Sequence, residues 1–370
     1  MRVLQIANGY LKNKLYTHLF SALENDGVEE MVFVPVSRGE QIPACPENVH
    51  IIPCFDQLDR LLFYRKQNSM LRWLESNTDM ASFDVIHAHT VFSGGYAAYK
   101  LKQRYGIPYI VAVRNTDVNT FFKYMVHLRH VGVEIMRSAE KVIFLSPAYQ
   151  ETVLNKWVPQ KFRQDIREKS MVIPNGIAPL FLRQQARPRT LLQDALRLIY
   201  VGDINTNKNL ELTIDAVNQL RQNGKNVTLT AIGSIKEEKY CTLIEQTEFA
   251  THYDRCPQEQ VIQHLHEADV FVMPSHTETF GLVYAEAMSQ GLPVLYTAGQ
   301  GFDGHFPDGT VGYAVPDRDS GMLAQKIALV EENYETLSAA SIDAAQRFNW
   351  EQIGREYVSL YQQAEGRRKS

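Results

Sequence analysis

The sequence predicts an α/β protein of two doubly wound parallel-sheet domains, and three observations carry that reading. Short apolar and β-branched runs alternate with helical periodicity almost from end to end. The alternation pauses once, over residues 175–194. A chain of 370 residues with 45% apolar content is also long enough to bury two cores.

In the first run, RVLQIA (2–7), EMVFVPV (30–36), DVIHAH (84–89), PYIVAV (108–113), KVIFLS (141–146) and SMVIP (170–174) read as buried strands of a parallel sheet. Between them, 14–26 places Leu15, Leu19, Ala22 and Leu23 on one helical stripe and stops at Gly27. The segment 92–105 stops likewise at Gly106. NGIAPLFLRQQARPRTLLQD (175–194) has proline, glycine and no period, as a linker should. The second run continues with strands LRLIYVG (196–202), NVTLTAIG (226–233), VFVMPS (270–275) and PVLYT (293–297). Helices are expected near 208–222, 257–268, 280–290, 321–335 and 350–364. The expected domains are 1–185 and 190–349, with the last helix, about 350–370, packing back on the first.

Composition narrows the class. Charged residues make up 22% and no eighteen-residue apolar window occurs, so no transmembrane helix is expected. Met1 passes directly into RVLQIANG, too quickly polar for a secretory signal, and four scattered cysteines have no metal-ligand spacing. The expected location is the cytoplasm, with the inner face of the plasma membrane as a variant of it. The net charge of −4 is uneven: residues 1–190 carry 24 Lys+Arg against 17 Asp+Glu (+7), and 191–370 carry 14 against 25 (−11). A basic half can meet a phosphorylated ligand or an anionic membrane, or can be charge drift without purpose. No nucleic-acid partner is expected.

In such sheets ligands bind outside the carboxyl ends of the strands, so residues just after strands are the candidates. PSHTETFGLVYAEAMSQGLPVLYTAGQGFDG (274–304) follows one strand and places Glu278 and Glu286 eight positions apart. With the helix expected to begin near Phe280, Glu286 lies about two turns in, and the two carboxylates are roughly 12 Å apart along the axis. That is too far for a hydrolase pair but suits two ends of one elongated ligand. The amides of Phe280 and Gly281, with Leu282 behind them, could meet negative charge. The plainer alternative is that Glu278 favours the helix dipole and Glu286 is solvated. YVGDINTNKNLELTIDAVNQL (200–220) is a strand, a glycine turn and a helix opening near Lys208, a placement suited to a phosphate. Gly9 follows the first strand with no GxGxxG, which weakens a dinucleotide-dehydrogenase reading. His87 and His89, at a strand end, are expected to point to opposite sides. No metal site is expected. Two basic aromatic segments, 61–75 and a helix over 121–141, fit a membrane or an acceptor as well as they fit ordinary packing with a solvated basic face.

VIPNGI (172–177), YVGDINTNKNLELTIDAV, ADVFVMPSHTETFGLVYAEAMSQGLPVLYT and GYAVPDRD together resemble the retaining glycosyltransferases of the GT-B fold that carry an E-x7-E motif, the family-4-like group. The likeness is specific in the C-terminal half; the N-terminal half matches in layout through DVIHAHT, PYIVAVRNTDVN and KVIFLS. The resemblance implies two facing Rossmann-like domains and transfer of a hexose from a nucleoside-diphosphate sugar, a UDP-sugar first, to a hydroxyl of a bacterial glycan or lipid-linked acceptor. It implies no cofactor and no metal. It also implies that Glu278, Phe280 and Gly281 meet the donor sugar, Glu286 the ribose, Lys208 and Gly9 the diphosphate, and Gly233 the nucleobase. Two departures stand out. Asp203 occupies the place of an arginine after the glycine turn, and Arg114 the place of a histidine in the first domain. Arg114 is expected to replace the missing cation at the diphosphate or at an anionic group of a substrate. A phosphorylase or epimerase is disfavoured by chain length and by the intact motif. A catalytically silent nucleotide-sugar-binding subunit is the alternative that the two departures keep open.

Overall fold

The computed structural model describes every residue except 57, 58, 60, 61, 185, 192–194 and 370, and the side chains of 367–369 are also left aside. The chain forms two compact units. The first comprises 1–145, 150–174 and 350–370; the second comprises 146–149 and 175–349. The boundary falls at Pro174 and Asn175, earlier than expected. The segment read as a linker belongs to the second unit; its residues 185 and 192–194, and residue 61 of the first basic segment, lie outside the described residues.

In chain order the first unit contains β1 (Arg2–Ile6), α1 (Leu15–Asn25), β2 (Glu29–Ser37), β3 (Val49–Phe55), α2 (Phe63–Asn77), β4 (Val85–Ala88), α3 (Tyr96–Tyr105), β5 (Tyr109–Val113), α4 (Arg129–Ser138), β6 (Lys141–Phe144), α5 (Pro147–Lys156, whose first turn belongs to the second unit), α6 (Gln160–Lys169) and β7 (Ser170–Val172). The strands order as β3-β2-β1-β4-β5-β6-β7, and every pairing is parallel. The chain winds outward in one direction from β1 and in the other from β4, so the switch point lies between these two strands. Burial follows: Val3, Leu4, Ile6, Val85, Ile86, Ile110 and Val111 are wholly buried, as a sheet covered on both faces requires.

The second unit contains α7 (Pro179–Arg183), β8 (Leu196–Val201), α8 (Leu210–Gln222), β9 (Val227–Ile232), α9 (Lys239–Glu245), β10 (Ala250–Tyr253), α10 (Gln258–Glu267), β11 (Val270–Val272), α11 (Leu282–Ser289), β12 (Val294–Thr297), β13 (Gly312–Val315), α12 (Ser320–Glu332) and α13 (Tyr334–Ala345). Its order is β10-β9-β8-β11-β12-β13, again all parallel, with the switch point between β8 and β11.

The last helix, α14 (Trp350–Lys369), returns to the first unit. Trp350, Ile353, Tyr357, Leu360, Tyr361 and Ala364 recur at three- and four-residue spacing and are buried in one core with Leu19, Ala22 and Leu23 of α1. Gly354 allows the close approach, because a Cβ there would stand 3.0 Å from the Ala22 Cβ.

Three expectations need correction. The segment 121–141 is not one helix: two short turns, Asp117–Phe122 and Val126–Leu128, precede α4. His87 and His89 lie on the same side, with ring centroids 3.8 Å apart. The reason is the strand period of two, which returns residues i and i+2 to one face. Finally, α11 starts at Leu282, so Glu286 sits about one turn into the helix rather than two.

Candidate active site

The second unit brings most of the candidate residues to the carboxyl end of its sheet. Asp203 follows β8, Gly233 follows β9, and Glu278 lies in the loop after β11. Lys208 does not open α8; it closes a separate helical turn, Thr206–Lys208, and α8 begins two residues later. Its Nζ donates to Glu278 Oε2 at 2.6 Å. Both side chains are only partly open to solvent, at 23% and 14%. The two candidates predicted to touch different parts of a ligand are therefore in contact with each other, across 70 residues of sequence.

The other carboxylate oxygen of Glu278, Oε1, accepts from the backbone N–H of Thr279 at 2.9 Å and of Phe280 at 3.4 Å. The Phe280 amide thus faces an anion that the chain itself supplies, while the Phe280 ring is buried against His305 and Phe348. The backbone on either side of this carboxylate is held as well. Gln300 Oε1 accepts from Glu278 N at 3.0 Å, and Gly301 N donates to Glu278 O at 2.7 Å. Gly301 has to be glycine, since a Cβ would stand 2.0 Å from the Thr279 carbonyl carbon. Gly281, at φ +74°, caps α11 in the left-handed region, and a Cβ there would meet the Tyr284 ring at 2.4 Å.

Leu282 is the half-buried first residue of α11. Glu286, on the same helix and half-buried, has its carboxyl pushed up to about 7 by burial. Desolvation disfavours the charged form, and burial is the cause of the shift. Gly233 marks a backbone crossing: its Cβ would lie 1.9 Å from the Gly202 carbonyl oxygen, and its own carbonyl meets His252 Nε2 at 2.8 Å. Asp203 is exposed and pairs with Lys236 at 3.7 Å.

Gly9 and Arg114 belong to the first unit. Gly9 precedes a short turn after β1, where a Cβ would press on the Tyr16 ring at 3.1 Å. Arg114 directly follows β5; its Nε donates to the His89 carbonyl at 3.4 Å and its backbone N–H to Asp117 Oδ2 at 2.9 Å. Asp117 is wholly buried and also receives the Val91 and Phe92 amides, each at 3.0 Å, yet burial still raises its carboxyl to about 6.

Sequence reasoning missed the supports of the pair. Asn205 Oδ1 receives Lys208 N at 3.1 Å. Asn207 exchanges two bonds with Thr277, and the buried Asn209 donates to the carbonyls of Pro274 and Asp317 at 3.0 and 2.9 Å. His276 Nδ1 meets Asp317 Oδ2 at 2.7 Å. Asparagines at alternate positions in NTNKN were the legible signal, because this residue is the one that mimics a peptide group in loops. Among the described residues no three His, Cys, Asp or Glu side chains converge on a point that could hold a metal ion.

Two family models match this chain, glycosyl transferases group 1 over residues 183–347 and glycosyltransferase family 4 over residues 14–179. Glycogen synthase of Mycobacterium tuberculosis is 27% identical over 297 residues, covering 75% of this chain and 68% of that protein. Among solved structures, sucrose-phosphate synthase from Thermosynechococcus elongatus aligns with a TM-score of 0.73 at 19% identity, covering 98% of both chains. Anabaena HepE, solved in complex with UDP-glucose, aligns with a TM-score of 0.67 at 17% identity, over 98% of this chain and all of that one. Two parallel-sheet units, the two matching models and these neighbours agree: the chain belongs to the family-4-like glycosyltransferases of the GT-B fold.

Proposed function

We propose that this chain is a retaining hexosyltransferase that moves a hexose from a nucleoside-diphosphate sugar, a UDP-sugar first, to a hydroxyl of a bacterial glycan or lipid-linked acceptor. The observation that carries the reading is the Lys208–Glu278 contact of 2.6 Å at the switch point of the second sheet. A donor entering there offers each partner a better one: the diphosphate takes the ammonium, and the sugar hydroxyls donate to the carboxylate. Lys208 then stabilises the leaving diphosphate, which carries the charge that develops as the glycosidic bond breaks. Glu286 accepts from the ribose hydroxyls. Arg114 supplies a further cation for an anionic group of a substrate.

Retention follows from the family likeness. In that reading the leaving phosphate takes the acceptor's proton on the same face, and no side chain acts as a covalent nucleophile. The UDP-glucose complex of HepE supports the donor class. Exposed Tyr124 and Val126 beside Lys123 suit an acceptor held at an anionic bilayer. One observation favours a second reading, a silent nucleotide-sugar-binding subunit: where the family carries an arginine, Asp203 stands and engages Lys236.

The test is release of nucleotide from a panel of UDP-, GDP- and ADP-sugars by the wild type, Glu278→Ala and Glu286→Ala. Turnover by the wild type is expected, lost by about 1,000-fold in Glu278→Ala. In Glu286→Ala the main effect is expected on KM, raised about tenfold. Normal activity in both variants contradicts the assignment. Tight nucleotide binding with no turnover of any donor replaces it with the silent subunit.

A further inference from the structure

We infer that Asn207 is a positioning residue that sets the register between Lys208 and Glu278, a role that rests on the glycosyl-transfer reading above. Asn207 immediately precedes Lys208, and Thr277 immediately precedes Glu278. The Asn207 carboxamide joins these two neighbours as a peptide group joins strands. Nδ2 donates to the Thr277 carbonyl at 2.9 Å, and Oδ1 accepts from the Thr277 N–H at 3.1 Å. The Asn207 backbone carbonyl adds a third bond, from His276 N at 2.8 Å. Three bonds therefore fix the residue ahead of the cation to the backbone of the two residues ahead of the carboxylate, two at Thr277 and one at His276.

What these bonds do for the fold is small. Asn207 is exposed, and α8 is seated instead by buried Leu210, Leu212, Ile214, Ala216, Val217 and Leu220. Asn209 is the contrasting case. It is buried, has φ +59°, and holds the loops after β11 and β13 together, so its loss strikes fold and site alike. Among the described residues, the two hydrogen bonds of the Asn207 carboxamide lead to the Glu278 loop. Before a donor enters, Lys208 and Glu278 hold one another. Once both have turned to a ligand, that direct link is gone, and the Asn207 strap still ties the two segments. Its importance is therefore to the reacting complex, where a misplacement of about 1 Å can cost about 100-fold in rate.

The experiment compares wild type, Asn207→Ala, Asn207→Asp and Lys208→Ala by steady-state turnover of whichever of UDP-glucose, UDP-galactose, UDP-N-acetylglucosamine, GDP-mannose and ADP-glucose the wild type cleaves fastest. Thermal unfolding is measured in parallel. In Asn207→Ala, kcat is expected to fall about 10- to 100-fold with KM within about threefold. The melting temperature should move by less than about 2 °C. Asn207→Asp, of equal size, is expected to lose rate as well, because an oxygen then faces the Thr277 carbonyl; this separates hydrogen-bond pattern from volume. An unchanged kcat in Asn207→Ala while Lys208→Ala is inactive overturns the positioning role and leaves the transfer reading standing. A rate loss matched by a melting temperature about 5 °C lower overturns it too, in favour of a structural role. Absence of turnover by the wild type with every donor removes both claims together.

Discussion

Each unit of this protein gathers polar side chains at its sheet, and the two gatherings are handled in opposite ways. In the first unit Gln5, Glu30, His87, His89 and Tyr361 are all buried, under α14. Gln5 Nε2 donates to Glu30 Oε1 at 2.6 Å and Gln5 Oε1 meets His89 Nε2 at 2.9 Å, while the Tyr361 hydroxyl meets His87 Nδ1 at 2.8 Å. Burial, with Glu24 adding to it, pushes the Glu30 carboxyl up to about 8; burial also drives both imidazoles well below their ordinary range. The network is neutral. In the second unit Lys208 and Glu278 keep an opposite-charge partner and an opening to solvent, although loops strap them from three sides. Burial without a counter-charge extinguishes ionisation; a shallow, braced ion pair preserves it and leaves it exchangeable for a ligand.

The comparison can be broken most forcefully at the braces. Gly301→Ala places a methyl group on the Thr279 carbonyl, so the Glu278 loop must move. A loss of more than about 100-fold in turnover is expected, with about 1–3 kcal/mol of stability, read by kinetics and denaturant titration. Turnover within twofold of wild type would mean that the loop position is not what matters.

A smaller effect sharpens the same contrast within the second unit. Because burial holds Glu286 at about 7, its ionised form is reached only as pH rises through neutrality. Glu286 should therefore contribute about a tenfold rise in donor affinity between pH 6 and 8, and Glu286→Gln should bind weakly and lack that contribution. Affinities of UDP measured by calorimetry at several pH values check this through the difference between the two profiles, since the terminal phosphate of UDP itself titrates at about pH 6; identical slopes in wild type and Glu286→Gln contradict it.

The smallest effect on activity is expected in the first unit, where the consequence is stability. Glu30 binds its proton up to about pH 8 when folded but releases it near 4.5 when unfolded, so stability from this group falls as pH rises between those values. The two histidines act in the other direction, since their depressed values make stability fall as pH drops below about 6.5. Glu30→Gln should remove the first slope alone. The variant should gain on the wild type by about 3–4 kcal/mol between pH 5 and 8, with turnover nearly unchanged. Denaturant melts at the two pH values measure the gain, and an equal difference at both would contradict it.

The sequence made the sheet strands legible where both faces are covered, as in RVLQI and LRLIYV, because burial there enforces an apolar run. It hid β10, an edge strand whose ATHY side chains are half-exposed or exposed, and β13, whose four residues begin on a glycine. The strand β3 was hidden by the proline inside VHIIPCF, at another edge. For the site, position after a strand located Lys208, Glu278 and Glu286 individually. Their mutual contact was not legible, because helical and strand periods describe neighbours in sequence and this pair is joined only by the winding of β8 against β11. The histidine pair shows the converse: the strand period alone places both rings on one side.

The most direct measurement is a crystal structure of the protein with UDP bound. The account predicts a phosphate oxygen within hydrogen-bond distance of Lys208 Nζ, with the 2.6 Å contact to Glu278 opened and the Asn207–Thr277 bonds intact. A diphosphate bound away from Lys208, with the lysine still on Glu278, would contradict it.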